Sequence, residues 1–232
     1  MTIVKCENLG KKFDKIEALK NINLEIKSGK IIGLLGANGS GKTTLLKLMN
    51  DLIKPTSGKV TINNQIPGME SKKIISYLPE RTYLDLEMKA NEAVEYFLDF
   101  YSDFDRDKAY RMLSEMQIPT DVKMKTLSKG TKEKIQLALV MSRKADIYIL
   151  DEPIGGVDPA SRDFIIETIL NNFSEDATLL ISTHLIADIE SILDEVIFIN
   201  NGSIILHEDA EELRYSRKMS IDSIFREEFK CL

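Results

Sequence analysis

The chain has 232 residues, of which 43% are hydrophobic and 29% are charged. This balance is typical of a folded globular protein and not of a disordered tail, so we expect a single domain over residues 1–232. The formal net charge of -6 disfavours attraction to nucleic-acid backbones and to anionic lipid surfaces, because surplus lysine and arginine carry that attraction. The composition therefore argues against a DNA-binding function.

The positions of the cysteines and the lack of long apolar runs favour a cytoplasmic location. Cys6 and Cys231 lie near opposite ends of the chain, and neither belongs to a Cys or His cluster that could hold zinc or an iron-sulfur centre. No window of the sequence approaches the roughly 18 apolar residues of a membrane-spanning helix, and the N-terminus lacks the apolar core of a secretory signal. We expect a cytoplasmic protein that reaches a membrane only through a partner.

The first predicted elements are strands. Apolar and polar residues alternate over residues 2–6 and 22–26, which predicts two strands with one covered face. Residues 31–35 form a short apolar run, typical of a strand that is buried on both faces of a parallel sheet. Two further strands are predicted at residues 58–62 and 74–78.

A glycine-rich segment follows the buried strand. Residues 36–43 read GANGSGKT, which matches the P-loop pattern in full, and apolar residues at helical spacing come next, so a helix should begin at about Lys42. Glycines let successive backbone N–H groups turn towards phosphate oxygens, and the helix N-terminus adds the positive end of its dipole. We expect Lys42 to neutralise the β- and γ-phosphates of a nucleotide and the Thr43 hydroxyl to ligate Mg²⁺. The other predicted nucleotide contacts are Gly36, Asn38, Gly39, Ser40, Gly41 and Thr44. The alternative, a glycine-rich turn with a lysine on its rim, does not explain the full match in this context.

The character of the sequence changes over residues 82–144, approximately. Ala93, Val94, Phe97 and Leu98 form one apolar stripe, and a second stripe follows the predicted N-cap Asp105. We predict a helical subdomain inserted into the sheet-forming part of the chain. Residues from about 208 to 232 are predicted to form a short, charged and partly helical tail.

An apolar strand predicted at residues 147–150 ends in two adjacent acids. Asp151 and Glu152 should lie at the carboxyl edge of the sheet, where α/β proteins bind ligands. We expect Asp151 to hold Mg²⁺ and Glu152 to polarise the attacking water as general base. An acidic pair at a strand end is by itself more often an exposed turn, and only the P-loop makes the catalytic interpretation preferable. Strands at residues 178–181 and 196–199, with a helix at 161–171, should complete the sheet.

Residues 127–131, the signature segment, read LSKGT and precede a helical pattern. Ser128 suits an N-cap, and Gly130 permits close backbone approach to an anion. With the P-loop and the acidic strand, this segment resembles the LSGGQ signature of the nucleotide-binding subunits of ATP-binding-cassette (ABC) transporters, and the resemblance covers nearly the whole chain in the right order. Lys129 and Thr131 depart from that pattern, at one of its glycines and at its glutamine.

The resemblance implies an α/β fold of the P-loop NTPase type, with a largely parallel central sheet, an antiparallel β flank near the N-terminus and the helical insertion. It also implies a head-to-tail dimer in which Ser128 and Gly130 close in trans over ATP held by the other subunit, with Asp158 coupling the two subunits. For Ser128 and Asp158 the alternatives are a plain helix cap and simple turn chemistry.

Three more positions match functional residues of the family. Phe13 stands where the family places an aromatic that stacks on adenine, and His184 where a histidine contacts the γ-phosphate. The alternatives are a core phenylalanine and a structural histidine. Glu80 stands where the family usually has a glutamine that reaches Mg²⁺ and the attacking water. A solvated glutamate is nearly as well supported there, because a carboxylate cannot donate as an amide can.

These observations predict a subunit that binds and hydrolyses MgATP to drive a transporter. Its partners would be a membrane permease and a second ATPase subunit, in a homodimer or a heterodimer with a paralogue, and no nucleic acid other than the nucleotide. It would lie in the cytoplasm on the inner face of the cell membrane, and the short chain favours export by analogy alone. Two alternatives stay open: an ATPase that drives assembly of a soluble complex, and a nucleotide-dependent binding module with little hydrolysis.

Overall fold

The computed structural model describes residues 1–174 and 176–230, apart from the side chain of Ala160, so Cys231 lies outside the described residues. The described chain contains nine strands and nine α-helices, and three of the helices follow one another between β5 and β6. The strands are β1 (Thr2–Phe13), β2 (Ile16–Lys27), β3 (Ile31–Leu35), β4 (Ser57–Ile62), β5 (Ile75–Leu78), β6 (Ile147–Asp151), β7 (Thr178–Thr183), β8 (Glu195–Asn200) and β9 (Ser203–Asp209). The helices are α1 (Lys42–Met49), α2 (Met69–Ile74), α3 (Ala90–Phe100), α4 (Arg106–Glu115), α5 (Lys129–Met141), α6 (Pro159–Asn172), α7 (Ile186–Ile189), α8 (Ala210–Arg217) and α9 (Ile221–Lys230).

The larger sheet has six strands in the order β5-β6-β7-β3-β8-β9. The first five of these are parallel to their neighbours, and β9 pairs antiparallel with β8. Every residue of β6 and β7 is buried, as their apolar sequences predict. The prediction of a largely parallel central sheet is confirmed.

Strand β9 was not predicted, and the expected start of β5 was wrong by one residue. The edge strand β9 is only partly buried and carries charged residues, so its apolar pattern is weak. The sequence feature that does indicate β9 is the pair Asn201-Gly202, which joins β8 to β9. Both residues have positive φ, as is usual in the turn of a two-residue hairpin. Ile74 was expected in β5 but ends the short helix α2.

The predicted antiparallel flank is the three-stranded sheet β2-β1-β4. Its strands β1 and β2 have 12 residues each and extend well beyond the predicted segments. The register of β1 against β2 shifts between Cys6 and Leu9, where Asn8 has a φ of 49°. Such a bulge reverses which residues face the core, so the simple alternation ends at Cys6 although the strand continues.

Two apolar cores lie on opposite faces of the larger sheet. In β6, Ile147 and Ile149 pack on the side of α1 and the three-stranded sheet, whereas Tyr148 and Leu150 pack on the side of the helical subdomain. The alternation follows from the two-residue period of a strand. Because the sheet is held from both sides, the carboxyl ends of β3, β5, β6 and β7 are fixed along one edge.

The predicted helical subdomain consists of α3, α4 and α5. Asp105 caps α4 as expected, accepting a hydrogen bond from the Lys108 backbone N–H at 2.9 Å. One predicted stripe residue is misplaced, because Leu98 is 39% exposed. None of the described helices is both long and apolar enough to cross a membrane.

Candidate functional site

Residues 36–41 form the tight connection between β3 and α1. Gly39 and Gly41 have φ values of 80° and 113°, and a Cβ on Gly36 would lie 2.5 Å from the Ile199 carbonyl oxygen. Glycine is needed at these three positions for two reasons: other residues avoid the φ values of Gly39 and Gly41, and no space is left for a Cβ at Gly36. Helix α1 begins at Lys42, as predicted.

Lys42 is a buried cation at the centre of the site. Its side chain is 5% exposed, and its ammonium donates to the carbonyl oxygens of Gly36 at 2.8 Å and Ala37 at 3.3 Å. The same nitrogen lies 3.3 Å from Glu152 Oε1, close enough for an ion pair but outside hydrogen-bond geometry. The structure therefore brings the P-loop lysine and the second predicted acid into contact.

Asp151 lies beside Thr43, as the predicted metal site requires. The carboxylate is 1% exposed, and its Oδ1 accepts hydrogen bonds from the hydroxyls of Thr43 at 3.2 Å and Ser182 at 2.5 Å. Burial raises the pKa of Asp151; the two hydroxyls oppose this rise, and the charges of Glu80 and Glu152 add to it.

The second oxygen of Asp151 is the clearest indication of a cation. Oδ2 is buried, and it accepts no hydrogen bond from the described residues. No three His, Cys, Asp or Glu side chains come together as a metal-binding group in the described part of the chain. A cation here would therefore be held by few protein oxygens together with ligand phosphates, which is how Mg²⁺ is commonly bound.

Glu152 has an unusual backbone conformation. Its φ is 52°, in the left-handed region that few non-glycine residues occupy, and its backbone N–H donates to the Ser182 carbonyl at 3.0 Å. The side chain, 10% exposed, lies between Lys42 and His184, whose Nδ1 is 2.9 Å from Glu152 Oε2. Such strain is concentrated at functional sites, where the surroundings hold it in place.

The remaining predicted residue at this edge is Glu80, which directly follows β5 and Pro79. It lines the same cleft of about 590 Å³ as the P-loop and Glu152. A cleft of this size is in the range of small-ligand sites. Glu80 is therefore close enough to act on the site, and its charge already acts on Asp151.

Phe13 is not a core residue, because it is 44% exposed. Its ring lies on the β1–β2 hairpin, 4.9 Å from the Lys11 ammonium. The lining of the P-loop cleft includes Ile16 and Glu17 from the same hairpin but not Phe13. The core alternative is thus wrong, whereas the adenine-stacking role stays a prediction.

Ser128, Gly130 and Asp158 do not line the P-loop cleft. Ser128 caps α5, accepting a hydrogen bond from the Thr131 N–H at 3.1 Å, and Asp158 caps α6. Ser128 and Gly130 are exposed. A single chain does not test a role in trans, so the assignment of these residues to the opposing subunit stays a prediction.

Two functional candidates were missed by the sequence analysis. Ser182 donates the hydrogen bond to Asp151, and Gln136 on α5 donates from Nε2 to the Pro79 carbonyl at 3.3 Å. A signal for Ser182 exists, since it is a polar residue near the end of an apolar run that pairs with the acidic strand. Gln136 gives no such signal, because its partner lies 57 residues away.

The fold and this site together define an α/β P-loop nucleotide hydrolase. The model of the ABC transporter family matches residues 19–155. The ABC transporter ATP-binding protein YtrB of Bacillus subtilis strain 168 is 30% identical over 219 residues, which are 91% of this chain and 74% of YtrB. The SkfA peptide export ATP-binding protein SkfE of the same organism is 28% identical over 210 residues, 88% of each chain.

A solved structure agrees with both relatives. The dimeric, post-hydrolysis state of the ATP-binding cassette MJ0796 bound to ADP and Pi is 26% identical, with a TM-score of 0.77 over 90% of this chain and 99% of that one. The chain therefore belongs to the ABC transporter family, in which it is an ATP-hydrolysing cassette. The predicted family, fold class and ATPase activity are confirmed.

Proposed function

We propose that the chain hydrolyses MgATP as the motor subunit of a transporter, paired head to tail with a second cassette and docked on a membrane permease at the cytoplasmic face. One observation carries the proposal. Lys42, Thr43, Asp151 and Glu152 converge on one edge of the sheet although more than 100 residues separate the two pairs, as the Thr43–Asp151 hydrogen bond shows.

Phosphate binding falls to the P-loop. Its glycines allow backbone N–H groups to surround the phosphates, and Lys42 neutralises the charge that develops on them. Lys42 would exchange its present partner Glu152 for phosphate oxygens, because both are anionic and compete for the same ammonium. That exchange would leave Glu152 available for water.

The metal would be held by the Thr43 hydroxyl and by Asp151, whose unpartnered Oδ2 fits a cation. When bound, Mg²⁺ neutralises charge on the β- and γ-phosphates. Ser182 fixes the orientation of Asp151 through its hydrogen bond. Glu80, which lines the cleft, would contribute a further carboxylate to the metal or to the water.

Glu152 would act as the general base. Its Oε2 is held by His184, which would also contact the γ-phosphate. With its left-handed backbone, Glu152 places its carboxylate beside Lys42 of the P-loop, where it would orient a water for attack on the γ-phosphate.

The opposing subunit would supply Ser128, Gly130 and Asp158, and Phe13 would stack on adenine. The dimeric state of MJ0796 supports the pairing. ATP favours the closed pair only through its differential affinity, so closure and reopening are the mechanical output available to a permease. The name of SkfE, a peptide export protein, supports export as the direction.

Replacing Glu152 with Gln tests this function. The variant should bind ATP and dimerise more persistently, while turnover falls by about 100-fold or more, because an amide cannot accept the proton from water. Phosphate release and size-exclusion chromatography measure the two effects. Glu115→Gln, on the exposed face of α4, is the matched control and should behave as wild type. Undiminished turnover in the Glu152 variant would contradict the proposed base.

Co-purification tests the transporter role separately. The tagged chain should retain a hydrophobic, multi-span membrane protein in mild detergent. Retention of a soluble scaffold instead would favour an ATPase that drives assembly of a soluble complex.

A further inference from the structure

Gln136 is a buried amide that connects the helical subdomain to the nucleotide site. It lies on α5, the helix that begins at the signature segment, and is 2% exposed. Its Nε2 donates to the carbonyl oxygen of Pro79, the residue before Glu80, at 3.3 Å. The side chain therefore bonds the signature helix to the turn that carries Glu80.

The oxygen of the same amide has no partner. No described residue donates a hydrogen bond to Gln136 Oε1, to Asp151 Oδ2 or to Glu152 Oε1, and all three atoms are buried. Lys42 compensates the charge at Glu152 Oε1, and Asp151 Oδ2 is the oxygen assigned above to the cation, so Gln136 Oε1 is the acceptor left without a counterpart. Burying an acceptor without a donor costs free energy, so a polar group is expected to reach these atoms.

One small cavity is lined by all three residues. Gln136, Asp151 and Glu152 contribute to its wall together with Pro79 and Glu80, and its volume is about 30 Å³. A water needs at least about 10–15 Å³ and two or more polar partners. Water is the group that fits, because its two O–H donors match two of these acceptors, Gln136 Oε1 and Glu152 Oε1, and leave Asp151 Oδ2 for the cation.

We propose that Gln136 is a positioning residue for hydrolysis. Its amide nitrogen holds the Pro79–Glu80 turn, and its oxygen holds the Glu152 carboxylate through a water in this cavity. A displacement of helix α5 then moves Glu80 and the water that orients Glu152, so the rate of hydrolysis depends on the position of the signature segment. This inference rests on the proposed function, since it requires Glu152 and Glu80 to act on the attacking water.

The test is Gln136→Met, which keeps the length of the side chain and the helix but removes both hydrogen-bonding atoms. We expect kcat to fall by about 10- to 100-fold, as for other residues that orient catalytic groups. The equilibrium Kd for ATP should stay within about threefold, and Tm should change by no more than about 2–4 °C, because the loss of the hydrogen bond to the Pro79 carbonyl is offset by removal of an unpartnered buried acceptor. Gln65→Met, the same change at an exposed position in the turn after β4, is the control and should alter none of the three.

A second variant guards against an effect of the methionine itself. Gln136→Asn keeps the amide but is one methylene too short to reach the Pro79 carbonyl, so its kcat should also fall. Turnover of both variants within about twofold of wild type would overturn the proposal, and so would a loss of Tm and ATP affinity in parallel with kcat, since that pattern marks a structural residue. Glu152→Gln in the same assay separates the two proposals, because it reports on the base independently of Gln136.

Discussion

The N-termini of α1 and α5 are the two helix ends that the proposed function brings to nucleotide, and they are built differently. Helix α1 follows Gly41, which has no side chain with which to cap the helix. Helix α5 follows Ser128, whose Oγ accepts a hydrogen bond from the Thr131 N–H and lies 2.8 Å from the Thr131 hydroxyl. The first end leaves backbone donors for a ligand, and the second satisfies one of its own donors.

Their surroundings differ in the same way. A Cβ on Gly41 would lie 2.8 Å from the Ala18 carbonyl oxygen, whereas a Cβ on Gly130 would meet no described atom within 4 Å. The chain itself dictates the shape of the P-loop end. Any constraint on the signature end must come from another surface, which is what the proposed dimer supplies.

Alanine substitutions at Gly41 and Gly130 should show the largest difference between the two helix ends, in both ATP binding and stability. Gly41→Ala should lose ATP binding and destabilise the fold by about 1–3 kcal/mol from backbone strain alone, because its φ of 113° excludes a side chain. Gly130→Ala should leave folding intact or stabilise it by up to about 1 kcal/mol, because alanine favours a helix, while turnover in the dimer falls. Thermal unfolding, nucleotide titration and phosphate release measure these effects. Equal losses of ATP affinity in both variants would contradict the division of roles between the two helix ends.

Asp151, which accepts a hydrogen bond from Thr43 at the start of α1, should make the stability of the protein depend on pH. Because burial raises its pKa, the folded protein holds this proton more tightly than the unfolded chain does. The stability that the protonated form provides is complete below the unfolded pKa of about 3.9 and is lost as the pH rises through the folded pKa. At neutral pH the ionised carboxylate therefore lowers stability.

We accordingly expect Asp151→Asn to unfold at a higher temperature than wild type at pH 7, with the difference shrinking as the pH approaches 4. The same variant should lose Mg²⁺-dependent turnover, since a neutral amide is a poor ligand for the cation. Calorimetry across this pH range measures the first effect. Asp163→Asn, exposed on α6, is the control and should show no pH-dependent gain. A lower Tm for Asp151→Asn at pH 7 would contradict the burial argument.

The difference between the two helix ends also explains what the sequence could predict. The P-loop, its flanking strand and α1 are local, and periodicity with glycine placement indicated them almost to the residue. The cap at Ser128 is local as well, and it was predicted. Contacts between distant segments were not: Ser182 reaches Asp151 across 31 residues. The left-handed backbone of Glu152 follows from packing and leaves no pattern in the sequence.

Ser128→Ala should have the smallest effect on stability and turnover. It tests whether the Ser128 hydroxyl also contacts nucleotide, in addition to capping α5. Loss of the hydrogen bond to Thr131 should destabilise the fold by about 1 kcal/mol, a shift in Tm of about 2–4 °C for a domain of this size. Asp105→Ala is the matched control, because Asp105 caps α4 by the same geometry at a helix that does not face nucleotide. Both variants should lose similar stability, but only Ser128→Ala should slow phosphate release, because only that hydroxyl would reach the γ-phosphate of the opposing subunit. If the two variants hydrolyse ATP equally fast, Ser128 is a plain helix cap and the signature end acts through its backbone alone.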